Sequence, residues 1–256
     1  AKVLSKMITP LAAWHGRVKK QSNDILFYQP QGGGVVREIS WQEADQEARQ
    51  MAAYLRSLEL PAGSRIGLVS KNCAHWIIAD VAIMMAGHVS VPIYPNVNAD
   101  MVSKVLVHSE SSLVFVGKLD DPKEILAGVP EGLPTINLPL ADNNPDAKEW
   151  SDIIAANQAI ADTPQPDLDD LMTIVYTSGT TGNPKGVMHS YRSLGAAPTL
   201  TQEMFTPSTS ERMLSYLPLS HVAERSVCEM GMFYYGYTLY FAESLDTFAE
   251  DLRRAR

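Results

Sequence analysis

Residues 173–186 read TIVYTSGTTGNPKG, an apolar run that opens into a loop of hydroxyls and glycines and closes on Pro-Lys-Gly. Glycines at 179, 182 and 186 let the backbone take positive φ and bring its amides close to an anion. The hydroxyls of Thr177, Ser178, Thr180 and Thr181 add hydrogen bonds, and Lys185 sets a cation at the end of the loop. Pro184 removes one amide donor and stiffens the approach to that lysine. This chemistry suits a chain of phosphates. The loop of ordinary nucleotide hydrolases requires Gly, four residues, then Gly-Lys and Ser or Thr. Here Lys185 stands between Pro184 and Gly186, so the phosphates must be held in another way.

A second constellation is SYLPLSHVAER at residues 215–225. A strand ending at Leu217-Pro218 and a helix beginning near Ser220 put His221 in a first helical turn at the end of a sheet, a usual ligand position in open α/β folds. A histidine that only makes a structural hydrogen bond at a helix start is the alternative. The residues that follow, VCEMGMFYYGYTLYFAE, suit a core helix packed on the sheet. Gly231 within them would leave room beside that helix for an apolar chain.

The elements that must position these residues are legible upstream. The runs Ile25 to Tyr28 and Val35 to Ile39, joined by Gly32-Gly33-Gly34, predict a hairpin. Ser40 and Glu43 predict a capping box on a helix with an apolar stripe from Trp41 to Leu58. Strands follow at Ile66 to Val69, Val89 to Ile93 and Leu113 to Val116. They alternate with an almost wholly apolar helix, Ala74 to Ala86, and a helix capped by Asn98. Alternation of this kind indicates a mainly parallel sheet covered on both faces. The Pro/Asp/Asn-rich stretch from about 138 to 170, with one short helical pattern from Trp150 to Ile160, is the expected linker. The domains expected are residues 1–165 and 166–256. The second begins with the loop strand, then a helix from about Ser190, a strand near Met213 to Tyr216, a helix after Pro218 and a strand at Tyr237 to Phe241.

With 256 residues, 45% of them apolar, the chain can bury a large core. A net charge of −8 argues against nucleic acid as a partner. Cys73 and Cys228 lie far apart without ligand spacing, so we expect free thiols, no disulfide and no zinc. No apolar run is long enough to span a bilayer and the opening lacks a secretory apolar region, so the expected location is cytoplasmic. A basic amphipathic opening, AKVLSKMITPLAAWHGRVKK, offers peripheral membrane contact as an alternative to a solvated terminal helix.

The ten residues TSGTTGNPKG resemble the signature loop of the adenylate-forming superfamily of acyl-CoA synthetases, aryl-CoA ligases, luciferases and peptide-synthetase adenylation domains. VSVPIYPNVNADMVSKVLVHSES and LPLSHVAER are most similar to the long-chain fatty acyl-CoA synthetases within it. The resemblance implies an α/β N-terminal domain of mainly parallel sheets flanked by helices, with its second subdomain incomplete. It implies an ATP-dependent ligase that joins a carboxylate to AMP with release of pyrophosphate and then to CoA. ATP, magnesium, CoA and a fatty acid are the implied ligands, and no oligomeric state is implied.

The resemblance assigns the pyrophosphate to Thr177, Ser178, Gly179, Thr180, Thr181, Gly182 and Lys185, with Lys185 and Thr181 catalytic and Thr177 next to magnesium. It puts His221 beside the acyl adenylate and Gly231 in the wall of an acyl tunnel. Tyr191 stands where the family often has histidine, and Pro198 is expected to kink or shorten the helix after the loop. The residues cover roughly the first half of a family member. The later adenine and ribose motifs and the lid lysine are not among them, so the chain by itself is expected to be inactive. An aryl-CoA ligase, an amino-acid adenylation domain and a non-catalytic nucleotide- or acyl-binding module are the alternatives.

Overall fold

The computed structural model describes residues 4–142, 144–178, 182–205 and 208–243, together with 247, 250 and 253. Helix α1 (Pro10–Lys20) is capped by Thr9, whose hydroxyl accepts from the Ala12 amide. Strands β1 (Ile25–Gly32) and β2 (Val35–Ser40) form the expected antiparallel hairpin. Gly33 and Gly34 turn it at φ of 62° and 80°, where a side chain would strain the backbone. The chain runs directly into α2 (Trp41–Ser57), and Ser40 and Glu43 cap its start reciprocally. Trp41, Ala44, Ala48, Met51 and Leu55 bury the predicted stripe, whereas Leu58, expected to end it, is the exposed C-cap.

Strand and helix then alternate through β3 (Arg65–Val69), α3 (Ala74–Met85), β4 (Val89–Ile93), α4 (Ala99–His108) and β5 (Leu113–Val116). The continuation is α5 (Pro122–Ala127), β6 (Thr135–Asn137), β7 (Lys148–Glu149) and α6 (Trp150–Ala156). Strand β8 (Leu171–Ser178) leads into the loop and β9 (Pro184–Ser190) leaves it, followed by α7 (Tyr191–Met204) and β10 (Arg212–Ser215). One helical run, α8 (Val222–Glu224), a π-helical segment (Arg225–Met230) and α9 (Gly231–Tyr235), precedes β11 (Thr238–Phe241).

The larger sheet has seven strands in the order β7-β6-β5-β3-β4-β8-β9, and all its pairings are parallel except β8 with β9. Its strands are apolar on both faces because both are covered. Leu113 and Phe115 point into the cluster shared with α3, while Val114 and Val116 join Val102, Val105 and Leu106 of α4 on the other side. The smaller sheet has four strands in the order β10-β11-β1-β2. Each sheet therefore takes strands from both sides of residue 165. Strands β8 and β9 extend the larger sheet, and β10 and β11 complete the smaller one begun by the first hairpin.

Four expectations change. The stretch leaving the loop is a strand, β9, rather than a bare connection to the helix at Ser190. The linker composition conceals β7, while the short helical pattern expected there is α6, and the segment is strapped to α2. Gln50 donates to the carbonyls of Ile154 and Asn157, and Arg49 to those of Ile160 and Ala161. Pro198 lies inside α7, which continues to Met204 instead of stopping. The apolar face of α1 is not available to a membrane, because Leu11, Ala13 and Trp14 are already buried in the main core. The helical pattern expected from Thr247 falls largely outside the described residues. Among the described residues no helix is long and apolar enough to cross a membrane.

A buried network joins α2, α3, α6 and the first hairpin. Glu47 Oε2 is 2.7 Å from His75 Nε2 and accepts from Trp150 Nε1 at 2.8 Å, while Arg37 reaches Oε1 at 3.1 Å. Burial opposes ionisation of Glu47, but these hydrogen bonds and charges outweigh it and hold the carboxyl at about 2. A depressed carboxyl contributes stability above its unfolded pKa and loses it as pH falls through the folded one. Acid denaturation should therefore steepen between about 4.5 and about 2. Glu47→Gln should cost about 1–3 kcal/mol at neutral pH and flatten that acid limb, as measured by urea unfolding across pH.

Candidate functional site

Parallel strands deliver their carboxyl ends to one edge, and the ends of β4 and β8 meet there. Ser90 pairs with Thr173, and the same register carried forward sets Tyr94 beside Thr177. Both residues line a largely apolar cavity of about 190 Å³ with Ile93, Met101 and Pro184. Across the β8–β9 ladder Thr177 lies opposite Lys185, and Ser178 opposite Pro184. Directly opposed residues project to the same face of a hairpin, so the hydroxyl and the ammonium are neighbours. Both are exposed. Gly182 has φ of 76°, a left-handed conformation that favours glycine. A Cβ on Gly186 would come within 2.9 Å of the Ile174 side chain and 3.1 Å of the Tyr176 ring, so a side chain there would force these neighbours to shift. Gly179, Thr180 and Thr181 lie outside the described residues, as does the side chain of Ser178.

His221 is not within the first helical turn but is its N-cap, with extended backbone. Its Nδ1 accepts from the Ala223 amide at 3.1 Å, so the structural role considered for it is real. That bond places the ring proton on Nε2, which leaves an N–H donor on an exposed edge. The ring packs edge-on against Tyr94 at 6.5 Å between centroids. Tyr94 thus links the histidine to the β8–β9 hairpin, and sequence reasoning missed it. The available signal was its position immediately after strand β4, where open α/β sheets place ligand contacts.

The turn carrying His221 is set by Asn72, which follows β3. Its amide donates to Ser215 Oγ at 2.9 Å and to the Leu217 carbonyl, and its Oδ1 accepts from the Leu219 amide at 2.8 Å. Glu224 closes the turn from within by accepting from Ser215 Oγ, the Tyr216 amide and Cys228 Sγ. Burial, reinforced by that carboxylate, pushes the Cys228 thiol far up, so it is a packing group and not a nucleophile. Both cysteines are buried and free, and no cluster of three metal-ligating side chains occurs among the described residues.

Beneath this edge, Arg225 is fully buried. It makes two contacts with Asp80, at 2.7 and 2.8 Å, and one with Glu229 at 2.9 Å. It also donates to Thr173 Oγ1 of β8 and Ser90 Oγ of β4, and stacks 5.5 Å from the Trp76 ring. Burial opposes its charge, but Asp80 and Glu229 outweigh that and raise its pKa further. Burial and the charge of Asp80 drive the Glu229 carboxyl well above the carboxylate range.

Gly231 does not leave a vacant space. A Cβ there would sit 2.2 Å from the Tyr237 hydroxyl, which is tied to the Val227 carbonyl. The glycine backbone borders a cavity of about 310 Å³ with Pro198, Tyr235 and Tyr237, but the position of its missing side chain is filled. If the space were empty, Gly231→Ala would stabilise the helix by up to about 1 kcal/mol. The packing instead predicts a loss of about 1–3 kcal/mol, relieved in part by adding Tyr237→Phe, as read from denaturant unfolding of the two variants.

Residues 15–256 match the family described as AMP-binding enzyme. Long-chain-fatty-acid–CoA ligase FadD15 of Mycobacterium bovis is 30% identical over 247 residues, 89% of this chain and 39% of that protein. Fatty acyl-CoA synthetase A of Dictyostelium discoideum is 30% identical over 241 residues, 87% of this chain and 35% of that protein. The chain thus spans less than half the length of these relatives. Among solved structures, the anthranilate CoA ligase AuaEII in complex with anthranoyl-AMP superposes with a TM-score of 0.83 at 18% identity, over 96% of this chain and 47% of that one. O-succinylbenzoate coenzyme A synthetase of Bacillus subtilis in complex with AMP gives 0.76 at 18% identity, over 95% and 59%. At that identity the superpositions establish the fold alone, whereas the sequence match settles the family: the chain belongs to the AMP-binding, adenylate-forming enzymes.

Proposed function

We propose that this chain supplies the nucleotide-gripping part of an ATP-dependent ligase that joins long-chain fatty acids to CoA. The observation that carries the reading is the β8–β9 hairpin. It presents Thr177 and Lys185 side by side at the carboxyl end of a buried sheet, with His221 and Tyr94 close by. The fatty acid is supported by the relatives whose names specify long-chain substrates.

In the reaction, a carboxylate oxygen attacks the α-phosphorus of ATP, the bond to the bridging oxygen breaks and pyrophosphate leaves. The thiol of CoA then attacks the acyl carbonyl and AMP departs. Little covalent work falls to the protein, which must hold and neutralise the departing charge. Lys185 and Thr181 act on that charge, and Thr177, Ser178, Gly179, Thr180 and Gly182 complete the cradle. The Nε2–H of His221 donates to an oxygen of the acyl group. The tail is not assigned to Gly231, because Tyr237 fills its side-chain space.

Magnesium, when bound, neutralises phosphate oxygens. The exposed Thr177 hydroxyl fits as a single side-chain ligand, the rest of the shell coming from phosphates and water, a set that magnesium accepts.

The test is acid-dependent exchange of pyrophosphate into ATP, using a polypeptide extended to the length of the matched relatives. Long-chain acids should support exchange, and exchange with only aryl or amino acids would overturn the substrate assignment. Lys185→Ala should lower that exchange by about 10- to 100-fold, equivalent to about 1.5–3 kcal/mol, without changing the melting temperature, because the side chain is exposed.

A further inference from the structure

A groove of about 260 Å³ runs between α1 and α7, and none of its lining residues belongs to the phosphate hairpin. Its wall on α1 is made by Ala12 and Gly16, one turn apart. Glycine within a helix is unfavourable relative to alanine, and packing does not require it at position 16, where a Cβ would meet nothing within 4 Å. What its absence accomplishes is to keep the groove open. The floor is aromatic, with Phe233 and Tyr234 otherwise buried in the core.

The rim is cationic. Lys6 comes from the short turn Leu4–Lys6, and Arg17 and Lys20 come from α1. Arg17 is fixed at one end by donating to the Tyr234 carbonyl and to Gln21 Oε1. Lys6 and Lys20 are exposed, and neither has an ion-pair partner among the described residues. The chain carries 29 acidic and 21 basic residues, so three cations on one groove reverse the overall balance. Basic side chains at the end of α1 also complement its dipole, but that does not account for Lys6, which precedes the helix. Gln202 on the α7 side adds an exposed amide.

We propose that this groove binds a small anionic amphiphile, a carboxylate with a short apolar tail, with the head among Lys6, Arg17 and Lys20 and the tail over Ala12, Gly16 and Phe233. Its volume exceeds the roughly 150 Å³ that admits a benzene ring and falls below the range of about 300–1,000 Å³ for drug-sized ligands. A chain of moderate length suits it, and a nucleotide does not. The inference rests on the groove alone and stands whether or not the proposed ligase activity holds.

The experiment is isothermal titration of the protein with octanoate, with octanol as the neutral probe and phosphatidylglycerol vesicles as the lipid arm. Octanoate should bind saturably, and more tightly than octanol. The double variant Lys6→Glu/Lys20→Glu should weaken it at least about tenfold. Gly16→Leu should abolish binding by filling the groove while leaving the melting temperature intact or higher. Lys185→Ala should bind octanoate as the parent does, which separates this groove from the phosphate hairpin. No saturable binding, equal affinity for octanol, unchanged binding in the charge variant or binding to vesicles alone would each overturn the assignment. If Gly16→Leu unfolds, the charge variant decides.

Discussion

A guanidinium with no access to water ties this molecule together. Arg225 lies 145 residues from Asp80 along the chain, yet its Nη2 donates to both carboxylate oxygens, and the same side chain reaches β4, β8 and the acid four residues further along its own helical segment. Such a charge is tolerated only when it is paired and its donors are satisfied, and removal of one partner leaves the other stranded at high cost. The helix capped by His221 is therefore pinned to β8, the strand that leads into the glycine-rich loop. The π-helical turn over Arg225–Met230 places Arg225 and Glu229 where both meet Asp80, a local irregularity of a kind that often accompanies functional sites.

The consequence for chemistry is geometric. Adjacent parallel strands end together, so Tyr94 and Thr177 arrive side by side without needing contact in sequence. The smaller sheet meets the larger through two clasps: Asn72 gathers the turn after β10, and the Lys118 ammonium donates to the Glu243 carbonyl beyond β11 at 3.0 Å. Pre-set positions of this kind would serve the proposed reaction, whose catalysis consists mainly of holding charge. At this edge Thr177, Lys185 and His221 are exposed, while Glu224 and Arg225 behind them are buried and Asn72 is half-buried.

Much of the local structure was legible in the residues. The glycine turn after β1, the Ser40 and Glu43 box, the Asn98 cap and the double-sided apolar strands each follow from short-range chemistry that tertiary context did not override. Two of the changed readings share a cause. Gly231 read as a vacancy because a sequence shows an absent side chain but not the Tyr237 hydroxyl that occupies its space. Residues 138–170 read as a free linker because their composition is that of one, whereas their carbonyls are bound by Arg49 and Gln50 of α2.

The sequence by itself determined the loop chemistry, the alternation of strand and helix and the family, because these depend on residue type and spacing along the chain. It also held one unused sign: Asp80, a lone acid within an almost wholly apolar helix, demanded a buried cation. Which cation answered, which strands joined which sheet and which residues bordered the loop were decided only by the tertiary structure. Those are contacts between segments far apart in the chain, fixed by strand register and by the requirement that every buried charge find its counterpart.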